Sequence, residues 1–164
     1  MSNKYLKLFV TLLLLVIFGC NGIKIEPLTL ERMDNNTSLL KLNGYYFNLF
    51  QSDVEAIDII FLYQNGVLLD GLSPDLADLS AAEEEFKSGD FVNEFAFENA
   101  SAWGIYKLEG NTITIEQWFS GNGCCEPIVV SGTILSDSSF QINNQKFDFK
   151  PFSPKPDSTN TFIN

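Results

Sequence analysis

Short apolar or alternating segments separated by tight turns recur from Leu39 to Phe152, and they constrain the fold of this chain more than any other feature. Asn65-Gly66 is the strongest short hairpin signal among these turns, and Ser136-Asp137 and Asn143-Asn144 separate the last three segments. The strands that these patterns predict are Leu39–Phe50, Ala56–Gln64, Val67–Leu69, Phe91–Phe97, Ala102–Leu108, Thr112–Trp118, Ile128–Leu135, Ser139–Ile142 and Lys146–Phe152. Roughly six to nine such strands predict a mainly β fold, an antiparallel up-and-down meander that closes into a barrel.

One segment, Ser73–Ser88, changes to the period of a helix. Ser73 suits the N-cap, Pro74 suits the first helical position and Gly89 suits the C-terminal stop. The apolar side chains that fall on one face are Leu76, Leu79, Ala82 and Phe86. We predict one short helix near Pro74–Lys87 that lies across a barrel opening, because this face needs a surface to cover. The run Glu83–Glu85 is interpreted as solvated and not as a cation site, since successive helical positions diverge.

The first twenty residues have the pattern of a secretory leader. Lys4 and Lys7 precede the almost entirely apolar run Leu8–Phe18, which is too short to span a bilayer, and Gly19-Cys20 follows. A cysteine at this place resembles the lipobox of bacterial lipoproteins, in which the thiol is acylated and becomes the new N-terminus. The alternative is a buried apolar strand, which the basic start disfavours. We therefore predict a signal peptide over 1–19 and lipidation of Cys20.

Three further parts follow the predicted leader. We predict that residues 20–38 are a lipidated tether that lifts the domain off the membrane, that 39–152 are the barrel domain, and that 153–164 are a tail rich in Pro, Ser, Thr and Asn. Asn21 is not the aspartate that retains enterobacterial lipoproteins in the inner membrane, and Asn21–Glu26 has no evident acidic surface-export signal. We expect a lipoprotein of the outer membrane, on its periplasmic face.

Charge and composition exclude several functional classes. Removal of the leader leaves 8 basic and 21 acidic residues, a formal charge of −13. Such a surface disfavours nucleic acid and anionic lipid headgroups, so attachment to the membrane depends on the acyl chains. The chain has no histidine, which removes Ser-His and Cys-His nucleophile pairs and disfavours a conventional catalytic zinc site. We expect no nucleic-acid partner, no metal, no cofactor and no enzymatic activity.

Several short motifs of the predicted strands point to a known family. They are Gly44-Tyr45-Tyr46-Phe47, Trp103-Gly104-Ile105-Tyr106-Lys107-Leu108, Gly110-Asn111 with Ile113, Gly132-Thr133-Ile134, and Ser139-Phe140. Together they resemble the lipocalin-like lipoproteins of Bacteroidota over roughly Leu39–Asn160. Tyr46 stands where true lipocalins carry the tryptophan of their first strand. The resemblance implies a lipocalin-like, calycin-type barrel.

Large aromatic side chains are the best candidates for a ligand wall. Tyr46, Trp103, Tyr106 and Trp118 offer contact area with few rotamers to order, and we predict that they line a site together. The alternative is that they fill the interior, because an eight-stranded barrel is just narrow enough to be packed by its own side chains.

Two other groups have weaker chemical interpretations. Cys124 and Cys125 are adjacent in an exported chain, so they are a candidate vicinal disulfide, with a stiffened loop or two free thiols as alternatives. Asp53, Glu55 and Asp58 lie close in sequence, and glycosidases need paired carboxylates, but a chance cluster is the preferred interpretation in so acidic a chain.

Two functional hypotheses follow. The first is a non-catalytic binder or carrier of a small apolar or glycan ligand, attached to the membrane through the lipid on Cys20. The second is an accessory or structural lipoprotein that binds another envelope protein. A barrel cavity above about 300 Å³ lined by the aromatic side chains favours the carrier, and a packed interior favours the protein partner.

Overall fold

The structure, a computed structural model, describes residues 25–35, 39–50, 56–71, 78–91, 96–121 and 124–163. Its strands are β1 (Gly44–Phe50), β2 (Ala56–Leu62), β3 (Val67–Asp70), β4 (Trp103–Glu109), β5 (Thr112–Gly121), β6 (Cys124–Ser136), β7 (Ser139–Ile142) and β8 (Gln145–Pro151). The helix α1 spans Leu79–Ser88, and a 3₁₀ turn spans Ala100–Ala102. Among the described residues, no helix has the length and apolar character needed to cross a membrane.

The eight strands form a closed barrel in chain order, and each strand is antiparallel to its neighbours. Pairing of β1 with β8 closes it, with Tyr46 opposite Phe149. Gly44 lies at this seam, where a Cβ would collide with the carbonyl of Lys150, so the two backbones approach closely only because the residue is glycine. The prediction of a mainly β, up-and-down barrel with one short helix is confirmed.

Turn chemistry explains the connections. Asn143 and Asn144 join β7 to β8 with φ values of 51° and 65°, the two positive angles that a type I′ hairpin turn requires. Between β2 and β3, the side chain of Asn65 accepts a hydrogen bond from the Val67 amide at 3.2 Å. The Asn65-Gly66 and Asn143-Asn144 turns therefore lie where the sequence predicts them.

The region between β3 and β4 differs from its prediction at the start of the helix and at one predicted strand. The helix begins at Leu79 and not at Pro74. Asp78 caps α1 by accepting from the Ser80 amide at 2.8 Å, and Gly89 ends the helix as expected, while Ser73-Pro74 lies outside the described residues. The predicted strand Phe91–Phe97 is wrong where it is described, because Phe91 and Ala96 are helical and Phe97 lies in a turn.

The side chains pack into two separate cores. The inner core fills the barrel with inward-facing residues: Leu40, Tyr46, Ile60, Leu62, Leu68, Tyr106, Ile113, Ile115, Phe140, Ile142 and Phe147. The ring of Tyr46 lies 4.9 Å from that of Phe140, on a strand that is not its neighbour, so side chains meet across the interior.

The outer core lies against the outer face of the first five strands. Its buried members are Tyr45, Ile57, Ile59, Phe61, Val67, Leu69, Ala82, Phe86, Phe91, Ala96, Ala100, Ala102, Trp103, Ile105, Trp118, Phe152 and Ile163. Phe86 brings α1 onto this face, 5.0 Å from the ring of Phe61. Glu83 accepts from the Tyr45 hydroxyl at 2.7 Å and pairs with Lys150 at 2.8 Å. The helix therefore packs on the side of the barrel and not across an opening, and Glu83 is not the purely solvated residue that was expected.

Segments on both sides of the barrel sequence pack against the same outer surface. Residues 25–35, assigned above to the tether, contact β5, where Trp118 donates to the carbonyl of Glu26 at 2.6 Å. In the predicted tail, the carbonyl of Pro156 accepts from Tyr63 at 2.8 Å and Ile163 is buried. Both segments are thus part of the folded domain, although the sequence placed them outside it.

Candidate functional site

One end of the barrel is closed by its own chain. Leu40 is buried in the inner core at this end, and the Tyr46 hydroxyl lies 3.0 Å from the carbonyl of Lys41 and 3.2 Å from that of Asp137. The Tyr106 hydroxyl donates to the carbonyl of Tyr63 at 2.8 Å. We call this the closed end.

The opposite end, which we call the mouth, has a different lining. The side chains that strand alternation turns inward there include Asn48, Asp58, Asp70, Gln117, Phe119, Glu126 and Ile128. The first four are half-buried, whereas Phe119 is 59% exposed and Ile128 is 41% exposed. Inward-facing side chains at the mouth therefore keep contact with solvent, and most of them are polar.

Two carboxyl groups form the polar floor of the mouth. Ile60 on β2 pairs with Asp70 on β3, so Asp58, two residues before Ile60, faces inward as a diagonal neighbour of Asp70. The Gln117 amide donates to Asp70 at 3.1 Å. Gly104 leaves space for Gln117, because a Cβ at that position would lie 2.8 Å from the Gln117 Cβ.

The environment of this pair changes its acidity. Burial, and secondarily the charge of Asp70, raise the pKa of Asp58 from its ordinary value of 3.8 to about 7. Near neutral pH, Asp58 therefore exchanges between a protonated form that donates a hydrogen bond and an ionised form that only accepts. Such a pair can bind hydroxyl groups or, in principle, act as acid and base.

Apolar side chains form the rim above this floor. Ile128 on β6 lies opposite Gln117, and Phe119 lies opposite Glu126, all on the inward face of the β5–β6 hairpin. Phe119 and Ile128 are among the large hydrophobic side chains that the fold leaves exposed. The mouth thus combines a polar floor with an apolar rim.

The predicted aromatic wall does not assemble. Tyr46 and Tyr106 lie in the inner core, whereas Trp103 and Trp118 lie in the outer core. Trp103 donates to the carbonyl of Ala96 at 2.7 Å, on the outer side of the barrel. The reason is strand parity: residues of opposite parity on one strand face opposite sides of the sheet.

The other predicted residues are placed as follows. Cys124 and Cys125 begin β6, opposite Gly121 and Ser120, but their side chains, like Cys20, lie outside the described part of the chain. Asp53 and Glu55 also lie outside it, so the predicted acidic cluster is described only at Asp58, whose partner is Asp70. The sequence prediction does not include Asp70 and Gln117. The available signal was the acid Asp70, which follows the apolar residues of β3 at an inward-facing position.

A shallow groove of about 750 Å³ lies near the closed end, lined by Asn43 and by residues 151–155. Its charged side chain, Lys155, donates to the carbonyls of Leu42 at 2.8 Å and Leu62 at 2.7 Å. Burial lowers the pKa of Lys155 to about 8. Because this ammonium group already binds two carbonyls, it holds the C-terminal segment on the barrel and offers little to a ligand.

No family model matches the chain, and neither a curated protein nor a solved structure matches it significantly. Among the described residues, no three His, Cys, Asp or Glu side chains are grouped in a way that holds a metal ion. The geometry of the mouth is therefore the main indication of function in this chain.

Proposed function

We propose that this chain is a lipid-anchored, non-catalytic binding protein of the cell envelope, whose barrel mouth takes a small amphipathic ligand bearing hydroxyl groups, such as a glycan or a glycolipid headgroup. The observation that carries the proposal is the contrast between the two barrel ends. Inward-facing side chains are apolar and buried toward the closed end, whereas at the mouth they are accessible and mostly polar.

The chemistry of the mouth supports this ligand class. Hydroxyl groups both donate and accept hydrogen bonds, as do a protonated Asp58 and the amide of Gln117, while an ionised Asp70 accepts. Phe119 adds an exposed flat apolar surface of the kind that contacts the apolar face of a ligand. A purely apolar ligand would remove the polar floor from water without replacing the hydrogen bonds that water makes there, which costs affinity.

The envelope part of the proposal is supported by the leader pattern that ends at Cys20 and by the resemblance to lipocalin-like lipoproteins of Bacteroidota. Replacement of Cys20 by Ser should prevent acylation and leave the processed domain in the soluble periplasmic fraction, because lipid and not charge holds the protein on the membrane. Co-sedimentation of the processed Cys20→Ser domain with membranes would contradict this.

A second function, binding of another envelope protein, is favoured by the packed inner core. Tyr46, Phe140 and Phe147 meet there with ring centroids about 5 Å apart, at 4.9 and 5.0 Å, so this half of the barrel is filled by side chains and does not enclose a ligand. We prefer ligand binding because packing alone does not account for an accessible carboxyl pair at the mouth.

The experiment is native mass spectrometry of the lipidated protein purified from its own membrane. A bound small molecule should be present in the wild type, lost when Asp58→Ala and Asp70→Ala are combined, because no polar group then remains at either position, and retained in the control Asp148→Ala. Asp148 is a matched control because its carboxyl lies on the outer face of β8, paired with Lys146 at 2.6 Å.

Titration with oligosaccharides and fatty acids, measured by isothermal titration calorimetry, then identifies the ligand class. Retention of the bound molecule by the Asp58 and Asp70 double variant would exclude the mouth as its site. A co-purifying protein in place of a small molecule would support the second function. Cleavage of an added oligosaccharide would show that the protein is a hydrolase and would contradict a purely binding function.

A further inference from the structure

The N-terminal segment, residues 25–35, has a fixed direction on the barrel. It begins beside Trp118, near the mouth, where the indole donates to the carbonyl of Glu26 at 2.6 Å. It ends at the β2–β3 turn of the closed end, where the Asn35 amide donates to the carbonyl of Gln64 at 2.7 Å. The chain therefore enters the domain from the side of the mouth.

A buried acid holds this segment in place. Glu116 is 1% exposed, and its carboxyl accepts from the amide and the hydroxyl of Thr29, both at 2.8 Å, and from the amide of Leu30 at 2.5 Å. Three hydrogen bonds to one buried group and the contact at Trp118 hold residues 26–30 on the outer face of the barrel, with Ile25 at the end nearer the mouth.

The distance from this point to Cys20 is short. Four residues, Asn21–Lys24, separate Cys20 from Ile25, so the two Cα atoms lie at most roughly 18 Å apart. The closed-end start of β5, Thr112, lies six residues from Trp118 along the strand, about 20 Å away. A lipid on Cys20 is therefore attached nearer to the mouth than to the closed end, and it reaches the level of the mouth with the shorter extension of Asn21–Lys24.

We propose that the mature protein rests on its membrane with the mouth facing the lipid, so that the exposed rim residues Phe119 and Ile128 enter the interfacial layer. This orientation rests on the proposed function, because it requires that Cys20 is lipidated. It also extends that function, since a mouth that faces the membrane takes its ligand from the membrane surface. The partner of the rim is a zwitterionic lipid surface, because the acidic mature chain, with Glu126 exposed beside Phe119, repels an anionic one.

The test uses the full lipidated protein, with acylation verified by intact mass, in phosphatidylcholine vesicles whose acyl chains carry bromine as a quencher. Phe119→Trp places the probe at the rim, and Leu135→Trp is the matched control, because Leu135 is 50% exposed on the same strand pair but toward the closed end. The natural tryptophans are buried and present in both variants.

We expect the emission of Phe119→Trp to be quenched in brominated vesicles and that of Leu135→Trp to be unchanged. A Gly/Ser insertion between Lys24 and Ile25 should reduce the quenching, because a longer tether frees the domain from the surface. Ile128→Trp provides a second rim probe if Phe119→Trp does not fold.

Equal quenching at both positions, stronger quenching at position 135, or no quenching at either rim probe would overturn the proposed orientation. Absence of the acyl mass would overturn it together with the lipid anchor. Failure of the proposed orientation is distinguishable from failure of ligand binding. Loss of the small molecule in the Asp58 and Asp70 double variant is measured in detergent, without vesicles.

Discussion

Removal of the Glu116 carboxyl should release the N-terminal segment and destabilise the domain. Glu116 lies on the outer face of β5, almost fully buried, between the barrel and residues 25–35. Its three accepted hydrogen bonds all come from Thr29 and Leu30. The perturbation is Glu116→Ala, with Glu116→Gln as the conservative variant.

The magnitude follows from the lost acceptors. A net contribution of about 1 kcal/mol per hydrogen bond gives a loss of roughly 3 kcal/mol in the free energy of unfolding for Glu116→Ala. Detachment of the segment would rehydrate the three donors, but it would also expose Leu28 and Leu30, which pack against the outer core. Glu116→Gln retains one carbonyl oxygen and the side-chain volume, so we expect a loss of roughly 1 kcal/mol.

The assay is urea denaturation of the soluble Cys20→Ser protein, with tryptophan fluorescence as the probe, combined with trypsin cleavage after Arg32. Glu109→Gln is the control, since Glu109 is an exposed acid at the end of β4 whose replacement should change stability by less than about 0.5 kcal/mol. Glu116→Ala should speed cleavage at Arg32, which lies in the docked segment. An unchanged urea midpoint and an unchanged cleavage rate would refute the conclusion that Glu116 holds the N-terminal segment on the barrel.

Two further predictions concern the helix and the mouth. Phe86→Asp should lower the free energy of unfolding by roughly 3–5 kcal/mol, because Phe86 is 5% exposed in the outer core; a change within about 0.5 kcal/mol in urea denaturation would show that α1 does not stabilise the barrel. Stability should fall as pH rises from about 4 to about 7 and then level off, because the raised pKa of Asp58 leaves the folded protein holding a proton that the unfolded chain has released. Asp58→Asn should flatten this part of the profile in thermal denaturation while Asp148→Asn retains it, and an unchanged slope in Asp58→Asn would contradict the assignment.

The barrel was predictable because its turns are chemically specific. Asn143-Asn144 adopts the two positive φ angles that few other residue pairs tolerate, and Asn65 folds its side chain back onto the following strand. The strand Phe91–Phe97 was mispredicted because aromatic alternation over so short a run also suits side chains buried by helical turns, as Phe91 is in the outer core.

The existence of two cores was harder to predict. A strand pattern indicates which side chains share a face, but not whether the outer face meets water or another part of the chain. The nearly unbroken apolar run Ile57–Leu62 was the available signal, because such a run is typical of a strand buried on both faces. The segments that cover the outer face are distant from these strands in sequence, so the strand pattern alone predicts neither the position of the helix on the side of the barrel nor the separation of the aromatic side chains into two cores.

Asp58 interrupts that same run between Ile57 and Ile59, and its position is the best physical argument for function in this chain. An inward-facing apolar residue there would extend the inner core toward the mouth and remove the unfavourable proximity to Asp70. The barrel tolerates the acid because the closed half and the outer core supply most of its packing. An acidic residue that lowers stability and lies where the barrel interior meets solvent, as Asp58 does, is typical of a site selected for binding.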